Sequence, residues 1–141
     1  MSSNALEVRR FEVLDQDTSA RLEAVCVACG EDLVVVIGGG EKYHVGAAAL
    51  AISVRSVADP AHRTSSSSLV SVPGHKEEDL ARTSSIRLSR ALGTSVVVTA
   101  GVHEDRIAPD RIAVYLGLSE RLVDLIARAY QGLGSGSNAG T

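Results

Sequence analysis

Arg21-Leu22-Glu23-Ala24-Val25-Cys26-Val27-Ala28-Cys29-Gly30-Glu31-Asp32-Leu33-Val34-Val35-Val36-Ile37 reads as two strands joined by a tight turn. In its first half, Leu22, Ala24, Cys26 and Ala28 alternate with their neighbours, the period of a strand with one buried face. Gly30-Glu31-Asp32 is turn chemistry, so the two strands are expected to be sequential and antiparallel. Leu33–Ile37 is apolar at every position. Such a run predicts a central strand covered on both faces, most simply with a helix over it. Cys26 and Cys29 are the only cysteines, and on a strand their spacing points them to opposite faces. A redox pair wants a helix start after its first cysteine, and a zinc site wants a second pair. Both are therefore read as buried or half-buried free thiols.

The same reading extends outward. Leu6–Leu14 is a strand and Asp15-Gln16-Asp17 its turn. Val45–Val54 is a long strand of small residues. Asp59–Ser68 holds Pro60 and four consecutive serines, and is expected to be a mobile loop before a short strand, Leu69–Val72. Pro73-Gly74 then breaks the chain ahead of a helix from about Lys76 to Ala91, with Leu80, Ile86 and Leu88 or Leu92 as apolar positions. Glu77, Glu78 and Asp79 suit its first turn, as solvated carboxylates, and Gly93 its end. Ser95–Ala100 is another inner strand, followed by a charged loop. A last helix opens at Pro109 or Asp110, with Gly117 or Ser119 as a point where it divides. The order β-β-β-β-β-α-β-α predicts an α/β (α+β) sandwich, a mostly antiparallel sheet with C-terminal helices packed on it. A doubly wound fold needs regular β-α alternation, which the first half lacks. One domain over residues 1–131 is expected, with a disordered Gly/Ser-rich tail over 132–141.

Composition narrows the function. The 141 residues carry 14 basic and 17 acidic side chains, a net charge of −3, which gives no electrostatic case for nucleic acid. With one Phe, three Tyr and no Trp, the core must be built from branched aliphatics, which suits strands. No run approaches the ~20 apolar residues of a membrane helix. No leader is read in the opening residues, so a cytoplasmic protein is expected.

Three of the four histidines stand beside glycines at expected strand ends: Gly38-Gly39-Gly40-x-x-x-His44-x-Gly46, Pro73-Gly74-His75-Lys76-Glu77 and Gly101-Val102-His103-Glu104-Asp105. The glycine triplet lacks the spacing of a dinucleotide or nucleoside triphosphate loop. It reads as a turn, or as backbone that exposes Gly39 and Gly40 amides to an anion. Gly46 removes a side chain from the strand face of His44 and leaves room beside the imidazole. His75 stands where a helix begins and where N–H groups are free for an anion, with Gly74 and Lys76 beside it. In extended chain His103 and Asp105 face the same way, the arrangement of an imidazole oriented by a carboxylate. Gly39, Gly40, His44, Gly74, His75, Lys76 and His103 are thus the candidate ligand-binding residues, and His103 and Asp105 the candidate acid–base pair. Histidines separated by 31 and 28 residues do not define a metal centre, and none is expected. His62, in the serine-rich segment, is given no role. The residues alone leave open a small enzyme using His103 and Asp105 with an anion near His75, and a purely structural dimer.

The ordered set Gly38-Gly39, His44-x-Gly46-x-x-x-Leu50-Ala51, Pro73-Gly74-His75-Lys76-Glu77 and Gly101-x-His103-x-Asp105-x-Ile107 resembles the LpdD-like, prenylated-flavin-chaperone-like domain. That family includes the small D subunit accompanying gallate and hydroxyarylic acid decarboxylases, and it is similar to bacterial relatives of proteasome assembly chaperones. The resemblance runs from about Leu33 to Leu125. It implies an α/β sandwich, a homodimer or larger assembly, and a non-catalytic accessory role toward a prenylated-flavin-dependent decarboxylase. FMN or prenylated FMN is the cofactor it suggests. Val102 and Glu104 around His103, a longer C-terminal end and the serine-rich segment before Leu69 depart from the family's pattern.

Overall fold

The computed structural model describes residues 5–55, 58, 59, 61, 63–74 and 77–134. The elements are β1 (Leu6–Leu14), β2 (Arg21–Cys29), β3 (Asp32–Gly40), β4 (Ala47–Arg55), β5 (Arg63–Ser71), α1 (Glu78–Leu92), β6 (Val96–His103) and α2 (Pro109–Ala129). The strands form one six-stranded sheet in the order β1-β2-β3-β6-β4-β5. Every neighbouring pair is antiparallel except β3–β6. This is the expected α+β architecture, one sheet layer and one helix layer.

The β2–β3 hairpin is closed by two residues, Gly30 and Glu31, with Cys29 opposite Asp32. Gly30 takes φ 62°, the left-handed region that a two-residue hairpin asks of its first central position. Alternation then sorts the side chains. Leu22, Ala24, Cys26, Leu33, Val35, Ile37, Val96, Val98 and Ala100 are buried beneath the helices. Helix α1 lies on β4, β5 and β6, and α2 on β1 and β2. The buried face of α1 is made of small residues, Ala81, Ser84, Ser85 and Ser89, with Leu88 and Leu92. They face the equally small Ala47, Ala49 and Ala51 of β4, which lets helix and sheet pack closely. Ser89 donates to Thr94 O at 2.8 Å and Ser85 to Arg82 O at 2.9 Å, so neither hydroxyl is buried unpaired. Helix α2 presents Tyr115, Leu118, Leu122, Val123 and Ile126, an i, i+3/i+4 stripe.

Four local expectations change. Ser65–Ser68 is not a loop: it pairs with Ser53–Leu50 as the middle of edge strand β5. Backbone pairing to β4 holds it there, and serine hydroxyls tolerate the solvated edge. Gly38–Gly40 is not a turn but the end of β3, paired with Gly101–His103. Likewise β6 runs on through His103. Helix α2 is continuous, because Gly117 has open space around it and Ser119 folds its hydroxyl back to Leu116 O at 2.7 Å. Finally, β3 is covered on one face only, and Val36 on the other is 46% exposed. Leu133 is buried and joins the core, so order extends into the expected tail, whose residues 135–141 lie outside the described ones. Among the described residues no helix is long and apolar enough to cross a membrane.

Candidate functional site

The β3–β4 connection must pass β6, which lies between those strands. It does so over the C-terminal end of β6 on the face opposite the helices. This strap, residues 41–46, is tied by Glu41 N–H to His103 O (2.7 Å) and by Gly46 N–H to Ala100 O (2.9 Å). Two glycines make the crossing possible. A Cβ on Gly101 would stand 1.6 Å from His44 O, and one on Gly38 would stand 2.8 Å from the Tyr43 ring. Tyr43 lies over Gly38, donates to Glu23 at 2.7 Å and accepts from Arg21 at 2.9 Å. Burial first, and the bond to Glu23 second, push its phenol pKa up.

The strap sets His44 beside the end of β6. The His44 and His103 rings are 6.1 Å apart, edge to face. Each has a carboxylate partner. His44 Nε2 is 3.0 Å from Glu77 Oε1, and His103 Nε2 is 2.7 Å from Asp105 Oδ1. The hydrogen bond from His103, and then its charge, hold the Asp105 carboxyl below the usual aspartate range. Glu77 is buried at the start of α1, where Oε1 also accepts from Val102 N–H at 3.3 Å. Its Oε2 is buried without a hydrogen-bond partner among the described residues. Beyond Asp105, Arg111 grips Glu104 and donates to Thr18 O at 2.8 Å, linking the β1–β2 and β6–α2 connections. The Glu104 hydrogen bond raises the Arg111 pKa, so the guanidinium stays charged.

Of the residues singled out in the sequence, His44, His103, Asp105 and the Gly40 backbone stand together. Gly40, at φ 78°, packs on the His103 backbone, where a Cβ would meet His103 O at 2.3 Å. Gly39 faces the helix side, and the space beside it is filled by Leu22. Gly74 turns with φ 85° in open surroundings, while His75, Lys76 and His62 lie outside the described residues. Glu77 is the residue sequence reasoning missed. The gap that Gly46 leaves beside His44 is occupied by its carboxylate, with Glu77 Oε2 2.3 Å from a Cβ placed on Gly46. Among the described residues, no three His, Cys, Asp or Glu side chains are grouped so as to hold a metal ion. Cys26 is buried and Cys29 half-buried, both as free thiols.

The site stands at the C-terminal ends of the parallel pair β3 and β6. Helix α1 begins there, at Glu77, and α2 begins just beyond. Both helices therefore direct their N-terminal ends, with free N–H groups and partial positive charge, toward this end of the sheet. The arrangement can accept hydrogen bonds on imidazole and carboxylate and can tolerate an anionic group nearby.

A solved structure, described as the crystal structure of a novel chaperone complex for yeast 20S proteasome assembly, has the same fold. It superposes with a TM-score of 0.55 at 14% identity, covering 86% of this chain and 94% of that one. No curated protein matches the sequence. The family model for the prenylated flavin chaperone LpdD-like domain matches residues 16–131, which contain the whole site, and the chain belongs to that family.

Proposed function

We propose that this chain carries FMN or prenylated FMN at the C-terminal ends of β3 and β6 and delivers it to a flavin-dependent decarboxylase. The family supports a role as a prenylated flavin chaperone. The observation that carries the placement is the meeting of two carboxylate-backed imidazoles, His44–Glu77 and His103–Asp105, with ring centroids 6.1 Å apart. A flavin offers ring N–H donors and a phosphate. Glu77 Oε2, without a hydrogen-bond partner among the described residues, is an acceptor that such a donor would satisfy once it reaches the carboxylate, and the two helix N-termini suit the phosphate. In this reading His44 and His103 hold and orient the ring system, Glu77 and Asp105 fix the two imidazoles, and the flavin's own chemistry is used in the decarboxylase.

Titration with FMN and with prenylated FMN, followed by flavin fluorescence, tests the binding step. His44→Ala and His103→Ala are expected to weaken it at least tenfold. Equal, negligible binding by the parent and both variants rejects the flavin reading. Co-purification with a decarboxylase, and its cofactor occupancy with and without this chain, tests delivery separately. A second reading rests on the 2.7 Å His103–Asp105 contact, an exposed acid–base pair in a small enzyme. Turnover of a hydroxyaryl acid by the isolated chain, lost in His103→Ala, would favour it.

A further inference from the structure

The helix layer carries a groove between α1 and α2. Its lining advances together along both helices, from Leu80 and Leu116 to Ala91 and Ala127, so the two run parallel. Arg87 pairs with Asp124 at 2.9 Å and stands between two hollows, one of about 510 Å³ nearer the helix starts and one of about 350 Å³ beyond. The floor is small or aliphatic. Ser84, Ser119 and Val123 are buried in it, and Ser119 turns its hydroxyl back to Leu116 O at 2.7 Å. On the rim Leu116 is 57% exposed. Charge is graded along the groove. Asp79 and Glu120 line only the first hollow, Arg90 only the second. Asp79 is spoken for by Arg82, and Arg87 by Asp124, while Glu120 and Arg90 have no ion-pair partner among the described residues.

We propose that this groove receives an amphipathic helix of a partner protein, laid antiparallel to α1 and α2, acidic in its first turn and basic in its last. Three observations select that occupant. First, the centres of the two hollows stand about six residues apart along the helices, roughly 9 Å. Positions i and i+7 of a guest helix are ~10.5 Å apart, so one apolar side chain enters each hollow. Second, the charges match. An antiparallel guest sets its first turn at Arg90 and its last turn at Glu120. Carboxylates at a helix start and cations at its end are also what the guest's own dipole favours. Third, parallel α1 and α2 hold like dipole ends side by side, and an antiparallel neighbour offsets them. Rim charges of this kind set direction and choice of partner, while the apolar side chains supply the affinity. A guest so seated ends beside the start of α1, where Glu77 stands, and brings its owner to the margin of the histidine site.

NMR of the full chain, titrated with a synthetic peptide of about four helical turns, tests this. The peptide carries glutamates in its first turn, leucines at i, i+3, i+4 and i+7, and lysines in its last turn. A second peptide exchanges the glutamates and lysines. The first is expected to shift the Leu80, Ser84, Leu116 and Val123 resonances with a Kd of about 10–100 µM. The second should bind at least threefold more weakly. Leu116→Lys should weaken the first peptide at least tenfold, and Leu125→Lys, exposed on α2 outside the groove, should leave it unchanged. Arg90→Glu combined with Glu120→Lys should reverse the preference between the peptides. Three results overturn the proposal. One is the absence of saturable shifts at the groove with either peptide up to about 1 mM. Another is a parent that binds both peptides equally, or a preference that the double charge reversal leaves standing. The last is groove resonances that move on raising the protein concentration alone, which assigns the groove to a second copy. Should Leu116→Lys unfold the chain, the double charge reversal decides.

Discussion

Replacing Gly101 by alanine should cost this protein far more than a methyl group ordinarily does. The new Cβ would stand 1.6 Å from His44 O and 2.4 Å from the carbonyl carbon. Close C···O contacts begin near ~3.3 Å, so the strap must lift by roughly 1.7 Å. Both atoms are backbone, so no rotamer change relieves the clash. Lifting the strap stretches the hydrogen bonds from Glu41 N–H to His103 O and from Gly46 N–H to Ala100 O, now 2.7 and 2.9 Å. Each contributes about 1 kcal/mol net. Overpacking adds about 1–3 kcal/mol. The expected loss is therefore about 3–5 kcal/mol, a large share of the 5–15 kcal/mol typical of a domain. It should appear in urea unfolding, followed by circular dichroism, as a lower midpoint at unchanged slope. The thermal midpoint should fall by about 10–20 °C. Gly117→Ala is the matched control. Its Cβ meets nothing within 4 Å inside α2, so it should gain about 0.5–1 kcal/mol. A Gly101→Ala protein within about 1 kcal/mol of the parent would refute the strap as a tightly seated element.

Gly46→Ala should be milder, a loss of about 1–3 kcal/mol, because the group it strikes is the end of the Glu77 side chain; the His44 imidazole resonances should shift with it, and unshifted resonances would uncouple the two. The Cys26 thiol, pushed up to about 12 by burial, should resist a thiol-reactive dye in the native state while half-buried Cys29 reacts, with both labelled in urea. Asp105 should titrate below the usual aspartate value. The native state therefore favours its charged form: its contribution is complete above the usual pKa near ~3.9 and lost as pH falls through the lower folded value. Carboxyl carbon NMR should show His103→Gln moving that midpoint upward, and an unmoved midpoint would remove His103 as the cause.

What could be read from the sequence tracks how each segment is held. Strand β2 was legible to its end residues because it buries one face and alternates accordingly, and β1, exposed apart from Phe11 and Val13, was bounded by the turn residues that follow Leu14. The Ser65–Ser68 strand was not, since its place depends on pairing with β4 rather than on its own side chains. Gly38–Gly40 looked like a turn because the reason for small residues there is the strap, which only the folded chain displays. The Gly101 spacing to His103 and Asp105 was visible, and their 2.7 Å contact is local enough for sequence to anticipate. The approach of His44 to His103 across 59 residues was expected from their shared place at strand ends, where side chains are not committed to the core, while the strap that produces it was not. Glu77 had one clue, the glycine two places after His44, and its position in a first helical turn made solvation the simpler reading.

The placement of β6 also bears on how the chain reaches its native state. The β1-β2-β3 meander and the β4–β5 hairpin are each built from neighbours in sequence, yet they touch in the sheet only through β6. That strand pairs Leu33 with Val96 on one side and Ala51 with the same Val96 on the other. On a ribosome, both halves emerge before the strand that joins them, each with an unpaired inner edge. Long-range closure of this kind slows folding, and it leaves two strand edges open to other chains until residue 103 has been made.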